Sequence, residues 1–122
     1  MRLLLAVGLG GFLGAIARHL LGGWIQDLAG GKFPWGVLAA NVLGCLAIGY
    51  LTGVAARSAG MPEHWRLFLV TGVLGALTTF STFGLDTVQL AKGDLPMLAL
   101  ANVAANLILS LGAVTAGLAL AR

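Results

Sequence analysis

The chain has 122 residues, 59% of them hydrophobic and 9% charged, with a formal net charge of +3. Its mean hydropathy is +0.99. A water-soluble globule of this composition would expose more apolar surface than water tolerates, so that class is excluded and the chain is placed in a lipid bilayer. The seven Lys and Arg residues stand singly near the ends of apolar segments. They read as interfacial anchors, and no nucleic-acid partner is expected.

The first apolar segment runs from about Leu3 to Leu21. Its start, Met1-Arg2-Leu3-Leu4-Leu5 with Ala15-Ile16-Ala17 beyond, has the outline of a secretory signal. Gly8, Gly10, Gly11 and Gly14 interrupt that outline and the apolar character continues past Arg18 to Trp24, so the segment is expected to remain as a span. Three more segments reach the roughly 20 residues that a bilayer requires, at about 35–55, 67–90 and 95–120. The expectation is one four-helix transmembrane domain over residues 1–122. Its connections are short, from Gly22 to Pro34, from Ala56 to Arg66 and from Ala91 to Asp94. Trp24, Trp35 and Trp65 fall at segment borders, where amphipathic rings favour the headgroup layer. Asp94 before Leu95-Pro96 predicts an N-cap followed by an early-turn proline.

Nineteen glycines fall mostly inside the apolar segments. Gly10 with Gly14, Gly49 with Gly53, and the run Gly36, Ala40, Gly44 make small-residue ridges that let helix backbones approach closely in lipid. The lone Cys45 makes no internal disulfide and no multi-cysteine metal site, and reads as a small packing residue. With four spans, Arg2, Arg57, Arg66 and Arg122 lie on one side and Arg18, Lys32 and Lys92 on the other. Four against three is almost no positive-inside bias, so insertion in both orientations and an antiparallel homodimer are open to the chain.

Polar groups at membrane depth are the functional candidates. Asn41 lies in the second span, and Asn102, Asn106 and Ser110 follow at intervals of four on one face of the fourth. The third span holds Thr78, Thr79, Ser81 and Thr82 between Gly75 and Gly84, with Phe80 and Phe83 among them. One threonine can bond back to its own helix. Four beside two glycines point instead to an interrupted helix whose freed backbone groups are buried in protein. The fold expected is therefore an all-α membrane protein of four transmembrane helices with a break in the third. No paired carboxylates, His-rich cluster or Ser-His-Asp set lies at membrane depth, so hydrolysis and metal catalysis have little to work with and an enzyme is not expected. His19 and His64 sit near segment ends as interfacial residues. A neutral, donor-rich track points to passage of a small solute, and its donors point to an anion.

Three stretches carry a family resemblance: Gly10-Gly11-Phe12-Leu13-Gly14-Ala15-Ile16-Ala17-Arg18, Gly36-Val37-Leu38-Ala39-Ala40-Asn41-Val42-Leu43-Gly44, and above all Gly72-Val73-Leu74-Gly75-Ala76-Leu77-Thr78-Thr79-Phe80-Ser81-Thr82-Phe83. Over nearly its whole length the chain resembles the Fluc (CrcB) fluoride channels. That resemblance implies an antiparallel dual-topology homodimer in the inner (plasma) membrane, with two pores that export fluoride passively. It implies pore-lining roles for Asn41, Phe80 and Phe83, with hydroxyls from Thr79, Ser81 and Thr82. The carbonyls of Gly75 and Thr78 would hold a central structural sodium ion, and Arg18 resembles the arginine that ends the family's first helix. In two places the chain departs from the family pattern: Asn102, Asn106 and Ser110 stand where a tyrosine followed by serines is common, and Asp86 where glutamate is common. Two other classes compete. A small dual-topology multidrug exporter would want a carboxylate midway along the first helix, where this chain has none. In a non-transporting assembly subunit, the polar residues would only join helices.

Overall fold

The computed structural model describes all residues, 1–122, and its only regular elements are helices. α1 covers Arg2–Ala29, α2 Trp35–Arg57 and α3 Glu63–Arg66. A wider π-helical segment, Leu67–Leu74, follows, then α4 (Gly75–Leu77), α5 (Phe80–Lys92) and α6 (Pro96–Leu120). Four apolar lengths can cross a membrane: α1, α2, the run Glu63–Lys92 and α6. At 1.5 Å per residue even the 23 residues of α2 exceed the ~30 Å hydrocarbon core.

The ends of the spans differ from expectation in three places, the third span already starting at Glu63 within the expected connection. α1 continues through Ala29, and the connection begins only at Gly30. Gly22 and Gly23 do not stop the helix; Gly22 lies flat against Gly36 of α2, where a Cβ on Gly36 would overlap the Gly22 carbonyl oxygen. The stop comes where Gly30 and Gly31 take φ of 67° and 75°, a left-handed conformation that glycine adopts without strain. Asp94 does not cap α6. Its own φ is 59°, the capping position is Leu95, and no side chain caps that helix. The left-handed turn at Asp94 lets the Leu95 N–H donate to the Leu90 carbonyl at 3.0 Å, closing α5 before α6 starts.

Only 17 of 122 residues are buried, and most of the large apolar side chains, Leu4, Phe12, Leu20 and Ile108 among them, face outward. Helix contact therefore rests on small residues, the arrangement lipid favours because tails are as apolar as leucine. α1 lies on the π-helical segment and α4, while α2 and α5 both lie on α6. A Cβ on Gly10 would overlap the Phe68 carbonyl oxygen and stand 3.0 Å from the Gly72 Cα; one on Gly14 would overlap the Val73 carbonyl oxygen. Gly49 meets the Val114 backbone of α6 in the same way, and Gly117 of α6 meets Leu46 and Tyr50 of α2. The ridges read from sequence thus fall at the closest helix approaches.

Gly14→Val is expected to lower stability by about 1–3 kcal/mol, the usual penalty for forcing bulk into a packed contact. Gly8→Ala, where no atom lies within 4 Å of the added Cβ, should change it by less than about 0.5 kcal/mol. Equilibrium unfolding in mixed detergent micelles measures both, and equal losses would contradict the contact described.

Candidate functional site

Within the third span, α4 ends at Leu77 and α5 starts at Phe80. Between them Thr78 (φ −81°, ψ 152°) and Thr79 (φ −150°, ψ 119°) are extended. An extended residue loses its helical hydrogen bonds, and at membrane depth each unpaired backbone group costs several kcal/mol. Thr78 turns both its N–H and its hydroxyl back to the Leu74 carbonyl, at 3.1 and 3.0 Å. Its methyl packs into the space left by Gly44 of α2.

Thr79 is served by one side chain. Its N–H donates to Asn41 Oδ1 at 2.8 Å, and its carbonyl accepts from Asn41 Nδ2 at 3.2 Å. The amide thus pairs with a single extended residue much as a neighbouring strand would. The Thr79 hydroxyl accepts from the Thr82 N–H at 3.2 Å and so caps α5. It also lies 3.1 Å from Thr82 Oγ1 and 3.3 Å from Ser81 Oγ.

From Asn41 a chain of hydrogen bonds crosses three helices. Asn41 Nδ2 donates to Asn106 Oδ1 at 2.9 Å. Asn106 Nδ2 donates to Asn102 Oδ1 at 2.9 Å and to the Asn102 carbonyl at 3.1 Å. Asn102 Nδ2 donates to Thr87 Oγ1 at 2.9 Å, and Thr87 Oγ1 donates to the Phe83 carbonyl at 2.7 Å. Asn102 is wholly buried and Asn106 nearly so. The direction of the chain is set at both ends by backbone, since an N–H can only donate and a C=O can only accept. Both ends lie within five residues of one another, at Thr79 and Phe83, so the bonds close into a ring on the first turn of α5.

Two hollows flank this ring. One, of about 360 Å³, is lined by Asn41, Gly75, Thr78, Thr79, Phe80, Phe83, Asn106 and Ser110 together with aliphatic side chains. The other, of about 600 Å³, collects Arg18, His19, Gln26, Lys32, Thr82 and Asp86, and it also reaches Thr79. The Phe80 and Phe83 rings are 5.3 Å apart between centroids and tilted by 57°. Phe83 is buried and Phe80 80% exposed, so a surface of the isolated chain carries a large aromatic ring beside the first hollow. Ser110 Oγ is buried without a hydrogen-bond partner.

The residues singled out in the sequence therefore divide. Asn41, Phe80, Phe83, Thr79, Asn106, Ser110, Gly75 and Thr78 share the first hollow; Arg18 and Thr82 line the second. Asn102 reaches neither and acts through Asn106, and Ser81 is exposed beside Thr79. Two contributors were not legible. Thr87, one turn beyond Phe83, looks like any helical threonine until α6 brings Asn102 to it. Gln26 donates to the Phe33 carbonyl at 3.1 Å and accepts from the Gly36 N–H at 3.3 Å, tying the connection that carries Lys32 to the start of α2. Its one sequence signal is a lone amide at the end of an apolar segment.

Four apolar spans around a satisfied polar ring define a small multi-pass helical membrane protein. The family profile described as "CrcB-like protein, Camphor Resistance (CrcB)" matches residues 5–118. A protein of Agrobacterium fabrum named fluoride-specific ion channel FluC is 47% identical over 116 residues, covering 95% of this chain and 93% of its own length. Proteins of the same name from Rhizobium meliloti and Hahella chejuensis are 46% identical over 122 residues and 47% over 120. These alignments cover 100% and 98% of this chain, and 98% and 94% of those proteins. The chain belongs to the CrcB family.

Asn41→Leu is expected to lower stability by on the order of 3 kcal/mol, because it leaves both Thr79 backbone groups and Asn106 Oδ1 unpaired at depth. Micelle unfolding measures it. A loss below about 1 kcal/mol would mean that water takes over the amide's bonds.

Proposed function

We propose that the chain is a passive fluoride-selective channel, working as an antiparallel dual-topology homodimer with two pores in the inner membrane and exporting fluoride from the cytoplasm. The observation that carries this reading is the meeting of the two hollows at Thr79, one side lined by cations and the other by phenylalanine rings and hydroxyls. It is supported by the shared name of relatives aligned over nearly the whole chain.

The chemistry suits a small bare anion. Arg18 and Lys32 outnumber Asp86 in the second hollow, which raises the local anion concentration. α5 directs its N-terminus at the site, and of its first-turn amides only that of Thr82 is taken by the cap, leaving Phe80 and Ser81 N–H for an anion. The edges of Phe80 and Phe83 carry the positive part of the ring quadrupole. The Ser110 hydroxyl is a further free donor. The Asn41 and Asn106 donors are committed within the protein. Those two amides therefore shape the path, and the anion takes its bonds from the other groups.

The same helix end suits a cation. α4 ends at Leu77, and Gly75 O and Thr78 O receive no hydrogen bond within the chain. Carbonyls at a helix C-terminus carry partial negative charge, and hard oxygen donors fit an alkali ion. Gly75 is exposed, so a second copy can complete the ligand set around a structural sodium ion. Such an ion would neutralise these carbonyls and join the two copies. The even spread of Arg and Lys permits opposed insertion.

Purified protein in liposomes loaded with fluoride should release it rapidly and electrogenically while retaining chloride. No fluoride release beside a working control channel would overturn the proposal in favour of an assembly subunit. Phe83→Ile and Phe80→Ile should slow release about tenfold or more with the dimer intact, the factor expected for losing ~1.4 kcal/mol of ring-edge attraction. Unchanged release from both would remove the rings from the pathway.

A further inference from the structure

We infer that Thr87 is a positioning residue, which holds the Asn102 end of the ring of asparagines in one hydrogen-bonding direction and through the ring steadies the Thr79 backbone between the two hollows. The inference rests on the fluoride-channel reading for its flux readout alone. Its structural content is independent.

A side-chain amide can turn over at little cost, exchanging its oxygen and nitrogen, unless its partners forbid it. Backbone groups hold two of the three amides, since Asn41 bonds the Thr79 N–H and carbonyl and Asn106 donates to the Asn102 carbonyl. Asn102 bonds side chains alone, and what holds it at the far end is the state of the Thr87 hydroxyl. Its only proton is given to the Phe83 carbonyl at 2.7 Å, so toward Asn102 it can only accept. Asn102 must therefore present Nδ2 to Thr87, at 2.9 Å, and Oδ1 to Asn106. Asn106 must then present Oδ1 to Asn41. Asn41 completes the series with Oδ1 on the Thr79 N–H and Nδ2 on the Thr79 carbonyl.

Without the Thr87 hydroxyl, Asn102 Nδ2 loses its acceptor while remaining fully buried. Asn102 is then free to shift or turn in search of a partner, and either movement disturbs the acceptor it offers to Asn106 Nδ2. Asn106 keeps only the Asn102 carbonyl and no longer holds its Oδ1 firmly toward Asn41. Asn41 loses that restraint, and its bonds to Thr79 weaken even though neither residue was changed. Thr115 offers an internal comparison, since its hydroxyl also bonds a helix carbonyl, that of Gly112 at 2.8 Å, but meets no amide.

The test compares Thr87→Val, Thr87→Ser and Thr115→Val as full-length purified proteins. Hydrogen exchange at the Thr79 amide is read in detergent, and fluoride efflux in liposomes. Thr87→Val should accelerate exchange at Thr79 and slow efflux, each by about tenfold, the factor that corresponds to one unmade buried hydrogen bond. Thr87→Ser keeps the hydroxyl and should restore both, and Thr115→Val should change neither. Parental exchange at Thr79 in Thr87→Val would overturn the inference, as would failure of Thr87→Ser to restore it. An equal effect from Thr115→Val would do the same. If Thr87→Val does not assemble, Thr87→Ala supplies the same readout. If the parent chain releases no fluoride, the channel reading falls alone, and exchange at Thr79 still decides the role of Thr87.

Discussion

The two hydrogen bonds between Asn41 and the Thr79 backbone are the constraint on which the site depends. A spanning helix satisfies its own backbone; two extended residues in its middle do not, and lipid supplies no substitute. Asn41 offers one acceptor and two donors at the geometry of a peptide edge, so it can serve both the Thr79 N–H and its carbonyl and still reach Asn106. No single hydroxyl could do so, because it has one proton to give. The amide at position 41 and the extended backbone at position 79 therefore imply each other.

That pairing needs α2, α5 and α6 at fixed separations, and the glycines provide them. Gly44 admits the Thr78 methyl, bringing the extended residues against α2. One turn earlier on α2, Asn41 faces Thr79; further along, Gly49 lets the α6 backbone come close near Val114. Asn106, two turns before Val114 on α6, is thereby held at bonding distance from Asn41. A Cβ on Gly44 would overlap the Thr78 methyl and one on Gly49 the Val114 carbonyl oxygen, so each would push its partner segment away from α2. Small residues and polar residues thus act together, the first setting the distance that the second require.

Much of this was legible in the sequence, for reasons that differ between elements. The four spans follow from hydropathy, because bilayer thickness imposes a length that few other constraints produce. The glycine ridges were legible because spacing by four marks one helix face. The limits of the spans were less so. Gly22 and Gly30 are alike on paper, yet the first stays helical against Gly36 while the second takes a positive φ and ends the helix. Asp94 carries the side chain of a cap but adopts a left-handed turn, since closing α5 on Leu90 leaves it no extended conformation from which to cap. The spacing of Asn102, Asn106 and Ser110 was visible, but not their different fates. Asn102 and Asn106 bond inward to each other while the Ser110 hydroxyl finds no partner, a distinction that depends on neighbours from other helices.

That distinction bears on how an anion could pass at all. A path lined by amides that bonded the ion directly would have to give up protein bonds at each step, and in a low-dielectric site each exchange is costly. Here the asparagine donors nearest the first hollow are saturated, so they hold their positions whether or not an ion is present. The groups left with unspent capacity are the Ser110 hydroxyl, the first amides of α5 and the edges of two phenylalanines. Each interacts with a small anion less strongly than a fixed cation would. Under the proposed function this division is what conduction requires: a rigid ring that keeps the path in shape, lined by contacts weak enough for the ion to leave.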